Sequence, residues 1–208
     1  MSDLVPQLNP VAIRVLGTLI EKQRTVPDTY PMSLNALIVG CNQKTSRHPV
    51  MEVSEAGLLN ALETLKEQGL ATEVSGGRVL RFAHAFEKAL ALPTQSAALL
   101  AVLMLRGPQT AGELRLNCER LHKFADISSV EAFLAELAGR PQGALVMEMP
   151  RQPGARENRW VHLLGGVPEV EAQAGAPTAI ADDAFAALSA RVAQLEAEVA
   201  ELRQMLSR

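Results

Sequence analysis

The order of helix, turn and hairpin signals between residues 33 and 82 constrains the fold more than any other part of this sequence. A short apolar helix is predicted from Ser33 to about Cys41, and a polar turn follows it. A longer amphipathic helix begins after Ser54 and ends before Gly69, because Ser caps helix starts and Gly accepts the backbone angles that end them. Two segments of alternating polarity come next. Helix, turn, helix and hairpin in this order are typical of a winged helix-turn-helix domain.

The predicted hairpin has strands from Leu70 to Val74 and from Arg78 to Phe82, connected by Gly76-Gly77. Adjacent glycines supply the positive φ angles that a tight hairpin turn needs. An earlier helix from Pro10 to about Arg24, with Asn9 as its N-cap, completes the unit.

The same order of signals recurs in the second half of the chain, which indicates a duplicated domain. An apolar helix spans Ala97 to Leu105, Thr110 begins a second helix, and Ser128 or Ser129 caps a third. The second hairpin has strands from Ala144 to Met149 and from Arg159 to Leu164. Cys41 and Cys118 match at an offset of 77 residues, while Leu62 and Leu137 match at 75. A drifting period of this kind is the trace of duplication followed by loop insertion.

The sequence therefore predicts a mainly α fold with small β-hairpins (α+β), in which tandem winged helix-turn-helix domains precede a C-terminal coiled-coil helix. Its segments are residues 1–92 for domain 1, 93–164 for domain 2, 165–182 for a flexible linker and 183–208 for the coiled-coil helix. The linker assignment rests on the richness of that segment in Gly, Ala and Pro.

The C-terminal segment carries an apolar seam with alternating steps of three and four residues. Val or Phe at one seam position and Leu at the other favours two parallel helices, so we predict a homodimer. The alternative is an amphipathic helix that folds back on its own domains, because so short a seam is marginal alone. The seam residues are Phe185, Leu188, Val192, Leu195, Val199, Leu202 and Leu206.

Composition and charge indicate a cytoplasmic protein that does not enter a membrane. Two cysteines and no signal-peptide pattern at the N-terminus argue against a disulfide framework, and no apolar run is long enough to cross a bilayer. Residues 1–164 carry 17 Lys and Arg against 16 Asp and Glu, a net charge of +1. The predicted domains thus lack the strong basic excess that marks most nucleic-acid binders.

No pattern of residues in the sequence predicts catalysis. A P-loop, a dinucleotide fingerprint, a Gly-x-Ser-x-Gly elbow and a His-Glu-x-x-His pair are all absent from the sequence, so we expect neither an enzyme nor a cofactor. Cys118 and His122 lie four residues apart on a predicted helix, as two metal ligands would. Because Cys41 occupies the matching position in the first unit, a buried structural role for both cysteines is favoured over a metal site.

The third helix of a DNA-binding winged helix usually enters the major groove, yet here both third helices carry mainly acids on their polar faces. Positive charge lies instead on the turn after the second helix and on the two hairpins, which are the candidate nucleic-acid contacts. The alternative is that these are solvated loop residues serving turns and caps. The candidates are Asn42, Gln43, Lys44, Thr45, Ser46, Arg47, Arg78, Arg81, Arg151, Arg156 and Arg159.

Several motifs together resemble the YceH-type family of bacterial proteins over about residues 8–164. They are Cys41-Asn42-Gln43-Lys44-Thr45-Ser46-Arg47, Pro49-Val50-Met51, Arg106-Gly107-Pro108-Gln109-Thr110, Gly112-Glu113-Leu114-Arg115, Glu119-Arg120-Leu121-His122, Phe124-Ala125-Asp126 and Pro150-Arg151-Gln152-Pro153-Gly154. The resemblance implies two winged-helix domains and a regulatory role, and it implies no activity or binding residues.

We therefore expect a DNA-associated, transcriptional regulator-like protein without catalysis, with duplex DNA as its partner. The alternative is a protein–protein interaction scaffold of tandem winged helices that binds another protein and no DNA, similar in architecture to chromosome-condensation subunits of the ScpB type. A fold alone does not separate these two uses.

Overall fold

Seven α-helices and two small antiparallel sheets make up the part of the chain that the computed structural model describes. That part is residues 5–75, 79–151 and 154–167 together with Arg191. The expected mainly helical fold with small hairpins is confirmed at this level. All named elements belong to a unit of residues 1–168, and the predicted linker beyond residue 167 and the C-terminal seam lie outside the described residues.

The first half of the described chain contains three α-helices and three strands, besides one 3-10 turn at Pro27–Thr29. They are α1 (Pro10–Thr25), β1 (Met32–Ser33), α2 (Leu34–Cys41), α3 (Glu55–Glu67), β2 (Ala71–Val74) and β3 (Arg81–His84). The second half contains six more, which are α4 (Phe86–Ala89), α5 (Thr94–Arg106), α6 (Ala111–Asn117), α7 (Ile127–Ala138), β4 (Val146–Glu148) and β5 (Trp160–His162).

The helix starts of the first half are those that the sequence predicts. The side chains of Asn9, Ser33 and Ser54 each accept a hydrogen bond from the backbone N–H three residues later. Such caps satisfy amides that have no partner within the helix and contribute about 1 kcal/mol each. At the end of α3, Gly69 has a φ of 69° and terminates the helix as expected.

The start of α7 differs from the prediction. Asp126, and not Ser128 or Ser129, is the N-cap, and its carboxylate accepts a hydrogen bond from the Ser129 N–H at 2.7 Å. Ser129 lies at the third helical position, where its hydroxyl contacts the Asp126 backbone. The predicted start was therefore two or three residues late, because Ser and Asp are both preferred N-cap residues and the sequence offers both close together.

The second strand of the first hairpin begins later than the sequence predicts. The last pair in its ladder joins Val74 to Arg81, so this strand starts at Arg81 and not at Arg78, and the predicted turn at Gly76-Gly77 lies outside the described residues. The third strand, β1, was not predicted because it is only two residues long, and it pairs antiparallel with the other edge of β3 through Met32 and Phe82.

The second hairpin repeats this pairing on a smaller scale. β4 and β5 lie inside the predicted strands but are shorter, and they pair from Val146 with His162 to Glu148 with Trp160. Gln109 forms an isolated antiparallel bridge with Trp160, in the place that Met32 has beside Phe82 in the first half. The last strand of each hairpin thus has a further partner, β1 beside β3 and Gln109 beside β5.

One buried cluster of apolar side chains runs through both halves of residues 1–168. α1 is buried from Ala12 to Ile20 and α5 from Ser96 to Leu105, and these two helices pack on each other. Leu92 and Phe86, on the connection between the halves, are also buried. Because full burial of a leucine contributes about 2 kcal/mol, the α1–α5 contact contributes a large part of the unit's stability.

Candidate functional site

The Arg47 side chain, a predicted nucleic-acid contact, is completely buried and bound to the protein itself. Its guanidinium forms a two-pronged ion pair with the Glu21 carboxylate, at 3.1 Å from Nη1 to Oε1 and 2.6 Å from Nη2 to Oε2. Its Nε and Nη2 atoms also donate to the Gly40 carbonyl. Arg47 is therefore not available to a phosphate, and its assignment as a DNA contact does not fit this geometry.

A second arginine, Arg14, also donates hydrogen bonds to backbone carbonyl groups at and beyond the C-terminal end of α2. It is 2% exposed, and it donates to the carbonyl oxygens of Cys41 at 3.1 Å and Pro49 at 2.6 Å. The last carbonyls of a helix have no partner within it and carry partial negative charge, so two arginines suit this position. Arg14 was not among the predicted functional residues, and its only signal in the sequence is its place between the apolar residues of α1.

Burial alone would raise the pKa of Glu21, but the hydrogen bonds and charge of Arg47 outweigh it and hold that pKa below its ordinary value. Lys22 adds to this effect, since its ammonium lies 3.3 Å from the same carboxylate. Glu21 is therefore ionised and neutralised within the protein.

Asn42 and Gln43 also have internal roles. The Asn42 amide donates to the Val53 carbonyl and accepts from the Val53 N–H, which holds the segment before α3 against the end of α2. The Gln43 side-chain oxygen accepts hydrogen bonds from Lys22 and Arg47.

The remaining candidates in the turn are exposed, as a contact site requires. Lys44, Thr45 and Ser46 are all exposed, and Ser46 has a φ of 59°, in the left-handed region. The Ser46 hydroxyl accepts a hydrogen bond from Arg106 at 2.8 Å, which connects this turn to the end of α5.

The arginines predicted as nucleic-acid contacts on the hairpins differ in how far they are already bound within the protein. Arg81 is exposed but donates to the Pro31 carbonyl at 2.7 Å, and Arg78 lies outside the described residues. Arg159 forms a two-pronged ion pair with Glu113, at 3.0 Å for each bond. Arg159 is thus another cation that the fold already uses.

Arg151 and Arg156 are exposed and line a cleft of about 530 Å³ beside the second hairpin. The same cleft is lined by the carboxylates of Glu131, Glu148 and Glu157. Acids outnumber bases there, so this cleft is not an anion site by charge alone.

The exposed faces of the third helices are acidic and apolar. α3 exposes Glu55, Glu63 and Glu67, and its one cation, Lys66, is already paired with Glu63 at 2.9 Å. α3 also exposes Leu59. The face of α7 follows the same pattern, with exposed Ile127, Glu131 and Glu136 and no Lys or Arg in the helix.

A second concave surface, which we name the central cleft, lies where the two halves meet and has a volume of about 380 Å³. Residues of α1, of the turn after α2, of α5 and of the turn after α6 line it. Its charged residues are Glu21, Lys22, Arg106 and Arg120. No motif in the sequence marks this site, because its cations are scattered along the chain and only the fold brings them together.

Both cysteines are buried, which agrees with the structural role favoured from the sequence. Burial raises the pKa of the Cys118 thiol to about 12, so this thiol stays protonated and is a poor metal ligand or nucleophile. His122 packs edge-on against Phe124, with ring centroids 4.8 Å apart.

Two histidines at equivalent places in the hairpins are buried. Burial lowers the pKa of His84, at the end of β3, and that of His162, at the end of β5, to about 4 in each case. The His84 Nε2 atom lies 2.7 Å from the side-chain oxygen of Gln23. Both rings are therefore neutral near pH 7.

Among the helices that the structure describes, none combines the length and apolar character needed to span a bilayer.

Comparison with known proteins assigns the chain to a family of bacterial proteins. The family described as "Protein of unknown function, DUF480" matches residues 8–155, and the chain belongs to this family. This match confirms the family resemblance seen in the sequence motifs.

Full-length relatives support the same assignment. A UPF0502 protein of Dechloromonas aromatica is 65% identical over 207 residues, covering 99% of this chain and 97% of the relative. One from Burkholderia pseudomallei is 57% identical over 203 residues, covering 96% of this chain and 86% of the relative. One from Cupriavidus taiwanensis is 57% identical over 206 residues, covering 97% and 82%.

Proposed function

We propose that this chain is a tandem winged-helix protein that acts as a protein–protein interaction scaffold and has no catalytic activity. Three helices followed by a two-stranded hairpin occur in each half, with a third strand or bridge completing the sheet. This order supports two winged helices. Under the same proposal the protein is cytoplasmic, residues 1–92 and 93–164 are the two winged-helix domains, and the C-terminal seam makes it a homodimer.

The observation that carries the scaffold proposal is the surface of the third helices. In a DNA-binding winged helix this helix lies against phosphates, which repel carboxylates. Here α3 and α7 present exposed glutamates beside the exposed apolar side chains of Leu59 and Ile127. Such a surface complements a protein partner that offers basic residues around an apolar patch.

A second candidate, association with DNA, is supported by the exposed cations outside the helices. Lys44 on the turn and Arg151 and Arg156 on the second hairpin are exposed, and none of the three forms an ion pair with another described residue. In this arrangement the protein would contact the phosphate backbone through its loops and would read little sequence.

A salt titration separates these two functions. Binding of the full chain to a short random DNA duplex is followed by fluorescence anisotropy as the salt concentration rises. The scaffold proposal predicts no saturable binding at physiological salt. Binding that weakens steeply with salt would instead support the DNA function. In that case the slope of log K against log salt concentration should fall by about one in Lys44→Gln, which removes one phosphate contact.

Site-specific photocrosslinking in bacterial cells tests the scaffold directly. A photoreactive amino acid replaces exposed Ala56 on α3 in one variant and Lys44 on the turn in a second, matched variant. We expect a discrete protein adduct from position 56 and a much weaker one from position 44. Adduct formation that is equal at the two positions, or absent from both, contradicts the assignment of α3 as the contact face.

A further inference from the structure

We propose that the central cleft is a binding site for a small organic phosphate. This inference concerns a ligand site and does not depend on the proposed scaffold function. It rests on the charge, the hydrogen-bonding groups and the apolar wall that the two halves of the chain bring together.

The charge of the central cleft favours an anion. Its lining contains the three cations Lys22, Arg106 and Arg120 and one acid, Glu21. Both oxygens of that acid are already bound by the buried guanidinium of Arg47. The positive charge of the lining therefore exceeds what its own carboxylate neutralises.

The two arginines of the cleft differ in the number of hydrogen bonds that they form within the protein. Arg106 has one hydrogen bond, to the Ser46 hydroxyl, which leaves other N–H groups of its guanidinium for a ligand. Arg120 is exposed and has no side-chain hydrogen bond or ion pair with any other described residue. A planar guanidinium with two parallel N–H donors matches the oxygens of a phosphate group.

Neutral groups beside these cations add specificity for a tetrahedral oxyanion with an organic body. Hydroxyls of Thr45 and Ser46 and the amide of Asn117 can donate to phosphate oxygens, while Val102 and Leu105 provide apolar wall. A cleft of about 380 Å³ lies in the range of small-molecule sites. This combination suits a phosphate monoester carrying an apolar or aromatic group.

The placement of the site has a physical cause. α2 and α6 are equivalent helices of the two repeats, and the turns that follow them both face the cleft. The carbonyl groups at the end of α2, which would repel an anion, are covered by Arg14 and Arg47. The same Arg47 guanidinium pairs with Glu21, the acid of the lining, so the groups near the cleft that would oppose phosphate are already bound within the protein.

Isothermal titration calorimetry with the full chain tests the proposal, with phenyl phosphate as the probe. We expect saturable binding of one phenyl phosphate per chain, weaker binding of inorganic phosphate, and none of benzyl alcohol, which lacks the charge. The variant Arg120→Gln should weaken phenyl phosphate binding about tenfold, the size of one charge-assisted hydrogen bond. Since the Arg120 side chain has no hydrogen bond or ion pair with another described residue, this variant should fold normally, and its unfolding temperature checks that.

The matched control is Arg151→Gln, which removes the same charge from an exposed position on the second hairpin. Its affinity for phenyl phosphate should equal that of the wild type. The proposal is overturned if neither phosphate binds, or if the two variants weaken binding equally, since that would indicate a general charge effect. A random DNA duplex serves as a further arm. If phenyl phosphate does not bind but Arg120→Gln abolishes duplex binding, the cleft contacts backbone phosphate and the small-ligand proposal fails.

Discussion

Replacing Arg47 with methionine should destabilise the protein strongly, because the buried guanidinium has several partners that water cannot replace. Its side chain is completely buried, and the side chain of Glu21 is 14% exposed. Removing one partner of a buried ion pair typically costs about 3–5 kcal/mol. Lys22 stays near the carboxylate and reduces the loss, while the Gly40 carbonyl loses both Arg47 bonds and increases it. We therefore expect a loss of about 3 kcal/mol in the free energy of unfolding.

Urea denaturation followed by circular dichroism measures this loss. The double variant Glu21→Gln/Arg47→Met should cost less than the sum of the two single variants by more than about 1 kcal/mol, because the pair acts as a unit. Arg151→Met is the matched control, and an exposed arginine of this kind should change stability by no more than about 0.5 kcal/mol.

The pH dependence gives a further signature of the same interaction. In the wild type Arg47 holds the pKa of Glu21 below its ordinary value, so its stabilising effect persists until the pH falls through that lowered pKa. In Arg47→Met, burial acts on the carboxylate with less opposition, its pKa rises, and protonation relieves the penalty. The difference between the two proteins should therefore shrink as the pH falls. A loss below about 1 kcal/mol at neutral pH, or strictly additive single variants, would refute this account of Arg47.

Three further predictions follow from buried groups, tight packing and the C-terminal seam. Below the ordinary histidine pKa the unfolded state binds protons while buried His84 and His162 do not, so the free energy of unfolding should fall as the pH drops from about 6.5 to about 4. His162→Gln should reduce the slope of that free energy against pH by about 1.4 kcal/mol per pH unit. An unchanged slope in urea denaturations at several pH values contradicts the burial argument. Gly40→Ala should lower stability by about 1–3 kcal/mol, because the added Cβ would lie 2.8 Å from the Thr18 methyl group. Gly112→Ala, whose Cβ would have no contact under 3.8 Å, should raise stability by up to about 1 kcal/mol. Unfolding temperatures that shift in the same direction for both variants would refute this packing argument. The full chain should sediment as a dimer and a chain ending at Gly166 as a monomer, and equal monomeric masses would exclude the seam as a dimer contact.

Local signals in the sequence predicted the elements of the fold well. Side chains that cap a helix act within a few residues of the chain, so Ser33, Ser54 and Thr110 marked their helices correctly. The strand β1 was missed because two residues carry no period, and it exists only through its pairing with β3. The start of β3 was predicted too early because a Gly-Gly pair fits a tight turn wherever it occurs, whereas strand pairing decides where the ladder ends.

The candidate site could be predicted only in part, because the use of a charged residue depends on partners distant in sequence. Arg47 and Arg159 look alike as loop cations, yet each is bound to a glutamate, Glu21 or Glu113, that lies far away along the chain. Conversely, the cations of the central cleft carry no common motif. The composition of the turn suggested exposed polar residues, which holds for Lys44, Thr45 and Ser46.

The packing of α1 on α5 limits how the two halves of residues 1–168 can change. Each helix supplies an apolar surface that the other half covers, so neither half is an independent module. Expressed alone, either half would present that surface to water and should be prone to aggregation. Exchange of one half for that of another protein would therefore disrupt this contact, and substitutions in one of these helices would have to be accommodated by the other.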